Sequence, residues 1–475
     1  MMKPLLTFAA PTINPSHNHG SVNKIHLLRR AALTLCLFGS IISPALAENN
    51  WNGTVLGFEA PGEGMLGDML GIRPILENHG FHYQLGYLSE SVYNAGGGYN
   101  HDKKLAYIDQ FSLTFTQDLE MYTGIPDAAI EGNIVNRNHN DNLTSERTQD
   151  PRVGFNDIAQ ESWGGQSITR LGWLTFGRSF DDRKLHWRIG MMNKNQDFDQ
   201  IIPCDFQLLS QCGGKSANSM TWFNWNKHYW GTTFQYKLTP ELTLKTGIME
   251  QNPDASDRKY AWSGSLKGAR GILLPMEAEL KTKVNGLPGI YNFGLLYTNS
   301  KQQDLSEGKS QSVGATDPEG YRTHSDTWFM YTGFNQQVTT RGDDANRGMS
   351  VSYSLGLGDQ RSNYIHHTQA ASMRYRGLFD ARPDDWLGFG VTYIKMSDHY
   401  RKNQENLNDY YQVDDYGNPL YTPLAGHSVN ADLYYQIKVR SWLILQPDLQ
   451  YWHRPGGVAE TQDAWVTGLK AIVTF

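Results

Sequence analysis

Gln110-Phe111-Ser112-Leu113-Thr114-Phe115 places an apolar side chain on every second position. Successive side chains of a β-strand point to opposite faces, so this stretch has one greasy face and one wet face. The same rhythm recurs in about sixteen segments, a count within the range of single-chain barrels that cross a membrane. They begin near Phe81, Ala106, Ala128, Leu171, Leu185, Tyr229, Leu242, Leu273, Ile290, Thr327, Met349, Gln369, Leu387, Val429, Leu443 and Trp465. Tight turns follow the second, fourth, sixth, eighth and fourteenth segments, at Tyr122-Thr123-Gly124, Asp181-Asp182, Thr239-Pro240-Glu241, Asn285-Gly286 and Arg440-Ser441. The connections after the third, fifth, seventh, ninth and thirteenth run to roughly 20 to 35 polar, Gly-rich residues, as the outer loops of such barrels do. A soluble sandwich has no reason to sort its connections this way. The expected fold is an all-β transmembrane antiparallel barrel of about sixteen strands, with periplasmic turns, long extracellular loops that fold inward and a short N-terminal helix.

Residues 1–47 read as a cleaved signal peptide. Lys24, Arg29 and Arg30 precede an apolar run from Ala31 to Ile42, and Ala45-Leu46-Ala47 supplies the small residues of a cleavage site. Residues 48–80 then form an N-terminal periplasmic segment and 81–475 the barrel. Beyond the signal no run approaches the roughly 20 apolar residues of a spanning helix, and the mean hydropathy is −0.53. A chain of this composition spans lipid only as a closed barrel, because closure alone satisfies every backbone donor and acceptor there. The leader carries Lys3, Lys24, Arg29 and Arg30 and no acid, so its removal takes the formal charge from −6 to −10. That balance argues against nucleic acid as a partner. Cys36 leaves with the signal, and Cys204 and Cys212, alone in an oxidising compartment, are expected to form a disulfide. The bridge either holds the long fifth connection compact where it folds into the lumen or protects an exposed loop from proteases.

The last strand carries Trp465, Thr467, Leu469, Ala471, Val473 and Phe475 on one face and Val466, Gly468, Lys470, Ile472 and Thr474 on the other. Ending on Phe475 suits capture by the outer-membrane assembly machinery. Aromatic residues make up 12% of the chain, and many, such as Tyr451 and Trp452, stand near segment ends where interfacial girdles belong. Outer-membrane lipid and lipopolysaccharide are the expected surroundings, in a Gram-negative envelope.

Several motifs then resemble the carbohydrate-selective porins of the OprB type, over nearly the whole mature chain. Gly67-Asp68 with Leu70-Gly71-Ile72-Arg73 is similar to the family's N-terminal helix signature, with Leu70 in place of one glycine. Cys204-Asp205-Phe206-Gln207-Leu208-Leu209-Ser210-Gln211-Cys212-Gly213 resembles its cysteine-bounded loop, with Leu208 where Asn is usual. Leu287-Pro288-Gly289-Ile290-Tyr291, Gly377-Leu378-Phe379 with Arg382-Pro383-Asp384-Asp385, and Gln450-Tyr451 before Pro455-Gly456-Gly457 match in order. The resemblance implies a sixteen-stranded outer-membrane barrel through which monosaccharides such as glucose diffuse, with loops forming a narrow, arginine-bearing eyelet. His453-Arg454 stand where the family more often has neutral residues, which leaves the charge of the solute open.

Parity names the residues that could meet a sugar, since Arg, Asp and Gln reach hydroxyls with fixed forks or paired oxygens. Leu185, Trp187, Ile189 and Met191 leave His186 and Arg188 inward. Ala371, Met373 and Tyr375 leave Arg374 and Arg376 inward, and Leu443, Leu445, Leu449 and Tyr451 leave Gln446, Asp448 and Gln450. An arginine facing lipid at mid-membrane costs roughly 2 to 4 kcal/mol, which favours the inward direction. Arg178 is grouped with them although its strand alternates poorly. Asp197, Trp222 and Trp225, in the cysteine-containing loop, either line the eyelet or pack the loop against the wall. The arginines either meet solute or pair with acids such as Glu277 and Glu279 across the wall. Scattered histidines lack ligand spacing, so neither a metal nor another cofactor is expected. The favoured reading is a passive sugar porin, not an enzyme. A general or anion-preferring pore is the close rival; a barrel enzyme would need a nucleophile with a base in reach, and none stands out.

Overall fold

A computed structural model describes residues 64–140, 143–153, 157–160, 166–212, 225–310 and 313–475, and the backbone alone of 54–55 and 58–59. Sixteen strands form a closed antiparallel barrel in chain order. They are β1 (Phe81–Gly98), β2 (Leu105–Asp118), β3 (Ala128–His139), β4 (Ile168–Phe180), β5 (Leu185–Met192), β6 (Tyr229–Lys237), β7 (Leu242–Glu250), β8 (Ile272–Val284), β9 (Leu287–Thr298), β10 (Thr327–Gln337), β11 (Gly348–Gly358), β12 (Ile365–Arg376), β13 (Trp386–Met396), β14 (His427–Arg440), β15 (Leu443–His453) and β16 (Gln462–Thr474). β16 pairs with β1, with Gly468 opposite Val92 and Lys470 opposite Glu90, so no edge is left unpaired. Among the described residues no helix is long and apolar enough to cross a membrane; the strands do it.

The alternation seen in the sequence decides the two faces. Phe111, Phe293, Met373, Phe389, Leu433 and Leu469 are exposed on the outside, while Gln110, Asn292, Arg374, Asp432 and Lys470, on the other parity, are buried inside. Strands start up to four residues before the expected positions, as at Ile365 rather than Gln369, because the ladder continues through polar residues of the rims that carry no apolar signal. All the tight turns lie on one rim. Asn285 and Gly286 have φ of 53° and 81°, the left-handed pair that a two-residue hairpin needs. The turn after β2 contains a short helix, Glu120–Thr123, ended by Gly124 at φ 69°. The long connections all lie on the other rim and carry structure of their own: a hairpin of Gln302–Gly308 with Tyr321–His324, and helix α2 (Asp398–Tyr411), capped by the Ser397 hydroxyl accepting from His399 and Tyr400 N–H.

The expected N-terminal helix is present at the short-turn rim. It is α1 (Ile72–Asn78), and the Arg73 guanidinium donates to the Phe475 main-chain oxygen at 3.0 Å and to the Tyr83 carbonyl at 3.2 Å while lying 4.6 Å over the Tyr83 ring. The two ends of the barrel are thereby tied at the seam where β16 meets β1.

One strand breaks the simple parity. In β4 the pairing runs from Ile134 with Leu171 to Asn133 with Trp173, so Gly172 is an unpaired bulge residue. A Cβ at Gly172 would lie 2.1 Å from the Asn133 amide oxygen and 3.0 Å from Trp225 Nε1, so only glycine fits. Past the bulge the alternation is inverted, which matters for Arg178 below.

Candidate functional site

Residues 193–212, the described first part of the connection after β5, fold into the barrel. The Asn193 side chain caps a 3-10 turn, Lys194–Gln196, that aims Asp197 back at the wall. Asp197 is ion-paired with Arg188 on β5 and accepts from the Thr233 hydroxyl at 2.5 Å and from Gln235 Nε2 at 2.8 Å on β6. Arg188 is shared with Glu131 on β3 at 3.0 Å. Burial is the largest influence and would raise the Asp197 carboxyl, but the Arg188 guanidinium, the Thr233 hydroxyl and His186 together hold the group below the usual carboxylate range. The next residue, Phe198, fills an apolar pocket of Met192, Met249, Leu273, Leu296, Phe329 and Tyr331. Asp199 N–H then donates to Glu277 on β8 at 2.7 Å.

The loop crosses to the opposite wall and is fixed there a second time. The Asp205 carboxylate accepts from the Tyr434 hydroxyl at 2.5 Å and pairs with Arg374 at 3.4 Å. Its carbonyl accepts from Gln446 Nε2 at 2.8 Å and from Lys470 Nζ at 3.2 Å. Leu208 N–H donates to Asp432 at 2.9 Å, and Phe206 meets the Tyr434 ring edge-on at 4.9 Å. Gln211 Nε2 donates to Thr392 at 2.7 Å, and Gly390 beside it has no room for a Cβ, which would stand 2.6 Å from the Gln211 amide. Cys204 and Cys212 are disulfide-bonded with their Cα atoms 4.4 Å apart, which makes this far anchor one compact knot. Asp157, from the connection after β3, sits beneath it. Its carboxylate accepts from Ser210 N–H and hydroxyl at 3.0 and 2.7 Å and from Asn430 Nδ2 at 2.6 Å.

The residues singled out in the sequence fall into distinct places. Arg188 and Asp197 come together at the near anchor and Arg374 serves the far one. Gln446 and Asp448 do face inward, but the knot covers them, so they hold the loop rather than line open space. Arg376 is on the inner face at the short-turn rim, paired with Asp384 at 3.0 Å and 5.7 Å from the Trp386 ring. Arg178 is a correction: the Gly172 bulge turns it to the outer face, opposite Trp187 and 4.7 Å over the Phe180 ring. Trp225 packs the loop against the wall, donating to Asn133 at 3.0 Å under the Arg137 guanidinium. Trp222 lies outside the described residues. Glu277 and Glu279 pair with Lys245 at 2.7 and 2.6 Å, not with the arginines considered in the sequence. Asp157, Asp205, Lys470 and Glu90 were not picked out. Lys470 and Glu90 are fully buried 3.2 Å apart across the barrel seam, and only the inward parity of Lys470 hinted at it. Among the described residues no group of three or more His, Cys, Asp or Glu could hold a metal ion.

The family model for carbohydrate-selective porins of the OprB family matches residues 102–475. The chain belongs to that family. It is 35% identical over 418 residues to porin B of Pseudomonas aeruginosa, covering 86% of this chain and 91% of that protein. It is similar in structure to OprB of Pseudomonas putida at high pH, with a TM-score of 0.85 and 36% identity over 88% of this chain and all of that one. The porin resides in the outer membrane of a Gram-negative cell, with the short-turn rim toward the periplasm.

Two outcomes test this anchoring. Arg188→Met leaves Asp197 and Glu131 buried without their cation, a change of about 3–5 kcal/mol, more than a single loop attachment withstands. Single-channel recordings of that variant are expected to show larger, noisier currents, with Asp197→Asn in the same chain restoring part of the wild-type behaviour. The second concerns Asp157, whose carboxyl burial pushes up to about 6, against hydrogen bonds from Ser210, Asn430 and Ile158 that pull it down. A carboxyl raised in the fold favours folding at low pH, and that contribution is lost as pH rises through about 6. The stability margin of wild type over Asp157→Asn should therefore grow as pH is lowered from neutrality; thermal unfolding in detergent across that range measures it, and a flat margin would contradict the assignment.

Proposed function

We propose that this porin passes monosaccharides such as glucose down their gradient, and that residues 193–212 set the bore and chemistry of the passage. The observation that carries the reading is the double anchoring of that connection, with Asp197 on one wall and Asp205 on the other. A strap held at both ends divides the lumen and leaves a passage of fixed width. Three of its arginines are matched by carboxylates: Arg188 by Asp197 and Glu131, Arg374 by Asp205, and Arg376 by Asp384. Paired charges still present donors and acceptors to hydroxyls but give an anion little net attraction, which favours a neutral polyol over the anion-preferring alternative. A useful channel holds its solute weakly; a Kd near 1 mM corresponds to about 4 kcal/mol.

The same reading includes maturation and surroundings. Cleavage after Ala47 leaves Glu48 as the first residue, with 48–80 in the periplasm, and the intact mass of the membrane-extracted protein tests it. Lipid and lipopolysaccharide meet the outer apolar band, and Phe475 engages the assembly machinery before α1 covers it. Transport is passive, without catalysis or cofactor. Swelling of liposomes containing the purified protein is the direct measurement. Glucose is expected to enter faster than a disaccharide and faster than an anion of similar size; equal rates for all three would favour a general diffusion pore.

A further inference from the structure

On β11, Ser350, Ser352 and Ser354 alternate with Met349, Val351, Tyr353 and Leu355. The register places Ser350 opposite Arg374 on β12, and Ser352 between Asn335 on β10 and Ser372 on β12. Arg374 is 4% exposed, and its chain neighbour Met373 is 50% exposed on the outside, so the serines face the lumen. Gly333 stands opposite Ser354 on the same face, where a Cβ would lie 2.8 Å from the Tyr353 carbonyl oxygen. This wall differs from the one beneath the knot. There, Glu90, Asp432, Gln446, Gln450 and Lys470 are wholly covered, whereas Asn335, Ser350, Ser354 and Ser372 keep part of their surface accessible from inside the barrel.

The loop accounts for that difference. It touches β8 through Asp199 and β12 through Asp205, with Ile201, Ile202 and Cys204 buried between these contacts. Arg374 reaches back from the far contact over the serine face, donating to Asn335 Oδ1 at 2.9 Å and to the Ser352 hydroxyl at 2.8 Å. Its Nε has no partner although the side chain is buried, and neither has Asp205 Oδ1 beside it. Both atoms are out of reach from the lumen, so Arg374 braces Asn335 and Ser352 in place rather than meeting solute itself.

We propose that sugars cross the constriction along the β10–β12 wall, exchanging hydroxyl hydrogen bonds with Ser350, Ser354, Ser372 and Asn335, with Arg374 holding Asn335 in position midway. This rests on the sugar-channel reading above and assigns its specificity to a serine ladder. A serine hydroxyl donates and accepts and rotates freely, so it meets a sugar hydroxyl in any orientation. Ser350 and Ser354 stand roughly 13 Å apart along β11, and Asn335 and Ser372, on the strands to either side, fall level with Ser352 midway between them. Each bond is neutral and weak, so the solute moves to the next rung rather than staying.

The test uses the full mature porin with Ser350, Ser354 and Ser372 all changed to Ala. These substitutions keep the shape of the wall and remove its hydroxyls. The ratio of glucose-driven liposome swelling to potassium chloride conductance is expected to fall about fivefold, the scale of one net hydrogen bond lost at the barrier. An unchanged ratio would overturn the ladder. In a second variant, Ser354→Cys, a charged methanethiosulfonate reagent should block the current, and glucose should slow the block; a thiol that does not react would also overturn it. Wild-type vesicles that conduct salt but do not swell in glucose would instead overturn the sugar-channel reading on which it stands.

Discussion

Closure is the constraint from which everything else follows. In hydrocarbon there is no water to take up a free N–H or C=O, so the first and last strands must find each other. Here they do so through the β16–β1 ladder, with Lys470 and Glu90 paired across the seam and Arg73 bonded to the terminal residue at the rim. Once the cylinder is closed, every strand has one face in lipid and one in the lumen. The residues that function are then confined to one parity of each strand and to whatever the long connections bring inside.

The inside is a place where charge is costly unless matched. Arg188, Arg374 and Lys245 are all buried, and each has carboxylates within ion-pair distance. Breaking one such pair leaves a bare charge in a poorly solvated site, which is why these contacts can fix a loop that has little regular structure of its own. The strap across the lumen is held by charge at Asp197 and Asp205 and by apolar packing at Phe198, and the disulfide keeps the far end in a single shape.

Much of this was legible before any coordinates. Parity in β5, β12 and β15 placed Arg188, Arg374, Gln446 and Asp448 inside, because lipid tolerates none of them on the other face. The cysteine pair marked the loop that enters the lumen. Arg178 was misplaced because a single unpaired glycine, Gly172, inverts the alternation, and a bulge has no reliable mark in one sequence. Asp157 and Asp205 were passed over because they sit in irregular connections, where no periodicity says which way a side chain points. Their partners on β14 and β12 are more than a hundred positions away in the chain.

The sequence by itself determined the barrel, its strand count, its two faces and which connections are long, since these depend on local alternation and turn chemistry. The tertiary structure alone decided which inward side chains remain accessible. That outcome turns on where the inward-folded connections lie: they cover Gln446, Asp448 and Gln450 and leave Ser350, Ser354 and Ser372 partly open, although all six have the same inward parity. A strand's pattern records its own two sides, whereas the covering of a wall is set by a distant segment whose path is fixed only when the barrel has closed around it.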